Sequence, residues 1–228
     1  MAGQNMGDYN VDIVMCIDAT GSMAPIINEV KNNALSFYEK FVEGMEDADK
    51  AVDQLRIKVI VFRDYICDTE PMVESDFFIL PEQSTAFKKF VTDIEASGGG
   101  DGPENALEAI ALALKSNWTT GGSKRRHAIL VFSDAPALPL GERKDCPNYP
   151  KNLPNSLAQL GAWWEGTDQT LCSTYQPKAG RLVAFVPNAE PWTVLQAWNR
   201  YWPAFSPAGT GLADVDIQSA IDLLVGSF

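Results

Sequence analysis

Short apolar runs recur along this chain, and between them apolar residues return every three or four positions. Residues 11–17 (VDIVMCI) form a β-branched run closed by Asp18 and Gly21, which reads as a strand buried on both faces. Downstream, Ile26, Ile27, Val30, Ala34, Leu35, Tyr38 and Val42 fall on one helical face, with Pro25 suited to the first turn. Residues 56–62 (RIKVIVF) give a second strand, and residues 73–80 a third, placed at an edge by the flanking Pro71 and Pro81. Phe87, Phe90, Val91 and Ile94 mark a helix, and residues 104–114 (ENALEAIALAL) a stronger one. Residues 127–132 and 182–186 are further strands, and residues 192–201 and 217–225 read as helices, the last capped by Asp214 or Asp216.

Strands that alternate with helices imply a mostly parallel sheet covered on both faces, a Rossmann-like doubly wound α/β fold. With 228 residues and 46% hydrophobic content, residues 1–228 fit one domain with one substantial core. A long insertion at about 136–180, rich in Pro, Asn and Gly, holds one helix-like piece at 156–164. Irregular stretches of this length are usually functional or disordered, and this one follows the carboxyl end of a strand, where ligands bind in such folds.

The net charge of −12 argues against nucleic acid and anionic membranes, and leaves cations, metals and basic protein surfaces as partners. Solubility alone would account for that charge equally well. The basic run Lys124-Arg125-Arg126 reads as a solvated loop, and the lone His127 as a boundary residue. Cys16, Cys67, Cys146 and Cys172 make neither a C-x-x-C pair nor a zinc pattern. Cys16 is expected to be buried, and spacing leaves a Cys146–Cys172 pairing open. Residues 1–10 are polar and no stretch is apolar enough to span a bilayer, so the cytoplasm is the expected compartment.

Candidate chemistry sits at the strand ends. Asp18-Ala19-Thr20-Gly21-Ser22 places one carboxylate and two hydroxyls along a turn, hard oxygen donors suited to Mg²⁺ or Mn²⁺. Turn residues and a helix cap would read the same way. Ser133-Asp134 ends another buried strand, and Gly98-Gly99-Gly100-Asp101-Gly102-Pro103-Glu104 brings a third carboxylate to a helix start. Three separate segments thus deliver oxygen donors to one sheet edge.

This constellation resembles the von Willebrand factor A family and its metal-ion-dependent adhesion site, in order and spacing over about the whole chain. The resemblance implies a divalent metal, Mg²⁺ or Mn²⁺, at Asp18, Thr20, Ser22, Asp101 and Asp134, and another protein docking through that metal face. Thr20 stands where the family more often has Ser, and Asp101 where it usually has Thr. Three carboxylates around one divalent ion leave a charge of about −1, which should hold the cation firmly and favour acidic ligands less. Asp101 has a second reading as the N-cap of an Asp-x-x-Glu capping box, with Glu104 reaching back. The strand-end Phe62-Arg63-Asp64-Tyr65 and the glycine loop are similar to intracellular members, including those attached to atypical alpha-kinases. Asp64 is then an acceptor for metal-bound water and Arg63 a partner of a site carboxylate, or the two form a strand-end salt bridge. Adjacent Trp163 and Trp164 cannot share one helical face, so one of them is a candidate partner contact. The expected role is binding and not catalysis. A Mg²⁺-dependent phosphatase with Asp18 as nucleophile, or a metal-free scaffold, are the alternatives.

Overall fold

The computed structural model describes residues 8–100, 102–207 and 217–228. Four strands run parallel through the middle of the molecule: β1 (Tyr9–Asp18), β2 (Val52–Phe62), β5 (Lys124–Phe132) and β6 (Gly180–Pro187). Two short antiparallel strands, β3 (Met72–Glu74) and β4 (Phe78–Leu80), lie along β2, and β7 (Tyr201–Ser206) runs parallel to β6 at the far edge. The order across the sheet is β3-β2-β1-β5-β6-β7, with β4 also on β2. The single edge strand expected at 73–80 is therefore two, interrupted where Ser75 turns its hydroxyl to the Val59 amide at 2.9 Å.

Strand alternation explains the two cores. Ile13, Met15 and Ile17 of β1 face α1 (Ile27–Asp47), α2 (Ser84–Thr92) and α5 (Ile217–Gly226). Val14 and Cys16 face α3 (Ala106–Leu114) and α4 (Leu157–Glu165). Because both faces of β1 are covered, all ten of its residues are buried. Asp12, carried into this interior, is held by Arg56 in a two-pronged pair at 2.7 and 2.6 Å and by the Thr119 amide at 2.6 Å.

Three expectations change. Residues 192–201 do not form a helix: a 3-10 turn at Val194–Ala197 leads into β7, which pairs with β6 from Leu182↔Tyr201 to Pro187↔Ser206. Lys124, Arg125 and Arg126 are not a loop but the first residues of β5, with Lys124 and Arg126 lying over the Tyr9 ring. The helix at 104–114 begins only at Ala106, with Asn105 at its N-cap position. Asp101 and the proposed caps Asp214 and Asp216 lie outside the described residues.

The insertion packs over α3. Its one helix, α4, starts at Ser156, whose hydroxyl accepts from the Gln159 amide, and ends on Gly166 in the left-handed conformation. All four cysteines are free, Cys16 and Cys172 being buried. No helix among the described residues is long and apolar enough to cross a membrane.

Candidate metal-binding face

Parallel register brings the carboxyl ends of β1, β2 and β5 to one edge, and the loops leaving them are stitched together by backbone. The Ala19 amide donates to the Phe62 carbonyl at 3.0 Å, Ser97 to Ala19 at 2.9 Å, and Gly21 to Gly98 at 2.9 Å. Gly98 and Gly99 have φ of +67° and +78°; a Cβ on Gly99 would stand 2.8 Å from the Thr20 Cβ. Glycine is thus what lets the 97–100 loop lie against the Asp18 turn.

At this edge a chain of close polar contacts runs from Asp18 to Asp134. Asp18 Oδ1 accepts from the Thr20 amide at 3.0 Å and the Thr20 hydroxyl at 2.7 Å, and its Oδ2 accepts from the Ser133 hydroxyl at 2.6 Å. The Ser22 hydroxyl donates to Asp134 Oδ1 at 3.0 Å. Thr20 Oγ1 and Ser22 Oγ lie 3.2 Å apart. Each hydroxyl has a single proton. The two hydroxyl protons of Thr20 and Ser22 serve three such contacts, so at one of them oxygen lone pairs face each other, an arrangement a cation relieves.

Burial shapes the charge state. Asp18 is fully buried, which pushes its pKa up to about 6; the Ser133 and Thr20 hydrogen bonds oppose this, and the Asp134 charge adds to it. Glu104 is raised further, to about 8, first by burial and then by the charges of Asp18, Asp64, Asp134 and Asp68. Its Oε2 is buried without a hydrogen-bond partner. Sequence reasoning missed this residue as a site group. The capping-box reading assigned it to a helix N-terminus, whereas it precedes the helix and makes an isolated bridge to Ala137, just after Asp134. Glu104 donates its amide to the Pro136 carbonyl at 2.9 Å and accepts from the Leu138 amide at 2.8 Å. The signal that finds it is the fourth residue of Asp-Gly-Pro-Glu, once Pro103 is seen to delay the helix.

The flanking predictions divide. Asp64 does sit beside the cluster, buried, with Oδ1 capping the Ile66 and Cys67 amides and Oδ2 3.9 Å from Arg143. Among the described residues Arg63 pairs with no site carboxylate and forms no salt bridge with Asp64: just past the end of β2, it donates to the Glu95 carbonyl at 2.7 Å. Trp163 and Trp164 are not partner contacts, since both are buried. Trp164 stacks with Tyr175 and Trp198 and donates to the Asn199 carbonyl at 2.8 Å. The large apolar side chain offered to solvent beside the cluster is Ile66, at 62% exposure.

The donor set suits a hard divalent ion. Asp18, Thr20, Ser22, Asp134 and Glu104 present only oxygen, and the buried Glu104 Oε2 among them has no hydrogen-bond partner. Among the described residues, no three His, Cys, Asp or Glu side chains converge as a ligand set by themselves. What converges is carboxylates linked through hydroxyls.

The topology and this edge define a class: a doubly wound α/β domain with hydroxyl and carboxylate side chains gathered where its central strands end. The chain belongs to the von Willebrand factor A domain family, whose model matches residues 12–143, more than half of its length. Alpha-protein kinase vwkA of Dictyostelium discoideum is 24% identical over 147 residues, covering 64% of this chain and 22% of the kinase. Among solved structures, a von Willebrand factor type A protein from Catenulispora acidiphila superposes with a TM-score of 0.56 at 13% identity, over 96% of this chain and 43% of that one. The pilus adhesin SpaC of Lactobacillus rhamnosus GG, in its open conformation, gives 0.56 at 12% identity, over 98% and 30%. The chain therefore spans about a fifth of the curated relative and less than half of either solved structure. Family membership supports a protein-interaction role in general terms.

Proposed function

We propose that this domain holds a divalent cation, Mg²⁺ or Mn²⁺, at the Asp18–Asp134 edge and docks another protein against it. Asp18, Thr20, Ser22, Asp134 and Glu104 hold the ion directly or through water, and Asp101 is retained as a ligand from the sequence pattern. The observation that carries this reading is the buried, unpartnered Glu104 oxygen beside Asp18 and Asp134, a costly arrangement that a cation offsets. Bound there, the metal supplies a Lewis-acidic position for an oxygen of the partner. The added carboxylate makes the face more negative, so it grips the cation and attracts an acidic partner group weakly. The role is coordination and docking, not turnover. Four free cysteines fit a cytoplasmic setting.

Calorimetric titration of metal-stripped protein with Mg²⁺ and Mn²⁺ tests this. One saturable site is expected, lost in Asp18→Ala and weakened at least tenfold in Glu104→Gln. Protons compete with the cation at Asp18 and Glu104, raised to about 6 and about 8, so affinity should climb as pH rises through that window, with protons released on binding. Wild-type protein that takes up neither ion at pH 8 rejects the proposal.

A further inference from the structure

The insertion reaches back to the carboxylate cluster through one side chain, Arg143. The turn that carries it is pinned to α3: the Gly141 amide and the Tyr149 hydroxyl both donate to Glu108 Oε1, at 3.2 and 3.0 Å. On the other side the Tyr149 ring lies 5.1 Å from the ring of Tyr65, in the loop after β2. From this turn the Arg143 guanidinium stands with Nη2 3.9 Å from Asp64 Oδ2, an ion pair too long for a hydrogen bond. Among the described residues Nη1 meets only the neighbouring Glu142, at 3.2 Å, and Nε is buried without an acceptor.

A guanidinium whose task was to fasten the insertion would show the two-pronged, short geometry that Arg56 makes with Asp12. The insertion is already fastened by the Glu108 contacts. Arg143 instead leaves most of its donors unspent and places its charge against Asp64, which together with Asp18, Asp134 and Asp68 repels ionised Glu104. Burial raises the Glu108 carboxyl and the Cys67 thiol, and the Arg143 charge opposes that rise at each.

Resting on the metal face proposed above, we infer that Arg143 is a tethered counter-cation of that site: it lowers the affinity for the divalent ion, and through it metal binding and the position of the insertion are linked. A bound ion and the guanidinium compete for the same negative field. Linkage makes the effect reciprocal: whatever Arg143 takes from metal affinity, the metal takes from the hold of Arg143 on Asp64.

The experiment compares Mg²⁺ titrations of the wild-type chain, Arg143→Gln and Arg143→Lys, with hydrogen exchange of the wild type with and without saturating Mg²⁺. Arg143→Gln should bind Mg²⁺ several-fold to about tenfold more tightly, the size of one screened unit charge. Arg143→Lys should stay near wild type, and the gap should narrow in high salt. In the wild type, Mg²⁺ should speed exchange in residues 141–149 while slowing it around Asp18 and Asp134. Equal affinities in wild type and Arg143→Gln, a Lys variant that behaves like Gln, or uniform slowing of exchange each overturn the inference while leaving the metal site standing. A wild type without Mg²⁺ binding overturns both. Should Arg143→Gln fail to fold, the exchange measurement on the wild type still decides.

Discussion

Glu104 is stable in this fold only at the expense of its ionisation. Held near a pKa of about 8 by burial and four neighbouring aspartates, it opposes the metal-free fold as pH rises from its ordinary range toward that value. Glu104→Gln should therefore stabilise the metal-free domain at pH 8 by on the order of 1–3 kcal/mol while weakening cation uptake, which urea denaturation with and without Mg²⁺ would show. His127 gives a second pH signature with the opposite sign. Its ring stacks on Trp118, one nitrogen meets the Thr119 carbonyl at 3.1 Å, and Nδ1 accepts from the Gln176 amide at 3.2 Å. Burial lowers its pKa to about 4. The unfolded chain then binds the extra proton first, so the contribution of His127 is intact above about 6.5 and is lost as pH falls toward 4. Chemical denaturation across that range should show the decline, and His127→Gln should flatten it. Asp18 and Asp134 were legible because each ends an apolar run, so strand length alone puts them at one edge. Glu104 was not, because Asp-x-x-Glu before an apolar helix has the same letters whether it caps the helix or precedes it.

At the level of elements, local chemistry was readable where it was self-contained. The helix-like piece read at 156–164 is α4, with Ser156 as its N-cap, and Ser156→Ala should cost about 1 kcal/mol of stability, read by chemical denaturation, without touching metal uptake. Elements decided by distant partners were not readable. Trp198 and Trp202 repeat at helical spacing, yet β6 offers an open edge and residues 201–206 pair with it instead. Lys124–Arg126 has the composition of a loop, but these residues open β5, and the charged heads of Lys124 and Arg126 lie over the Tyr9 ring. Trp163 and Trp164 both find cover because α4 is roofed on one side by Tyr175 and Trp198 and seated on α3 on the other. Adjacent residues share burial when a helix is enclosed.

For the whole molecule, a sheet covered on both faces makes the edge with the carboxylates a rim between two cores, so what binds there acts on both. Mg²⁺ at a hundred times its dissociation constant should add about 2.7 kcal/mol of stability and raise the melting temperature by roughly 5–10 °C, an increment absent in Asp18→Ala. Differential scanning calorimetry would measure it. The distance along the chain between the cluster's members has its own meaning. Ser22 and Asp134, bonded at 3.0 Å, are separated by α1, three strands β2–β4, the helices α2 and α3, and β5, and they meet only because β1 and β5 pair from Tyr9↔Lys124 to Ile17↔Phe132. A nascent chain that has not yet emerged past Phe132 has no binding face at all, and a sheet that zips one residue out of step would turn Asp18 away from its partners. On the proposed metal site, capture of the ion would certify the topology, and a partner that waited for the charged face would engage finished molecules and pass over half-made or misaligned ones.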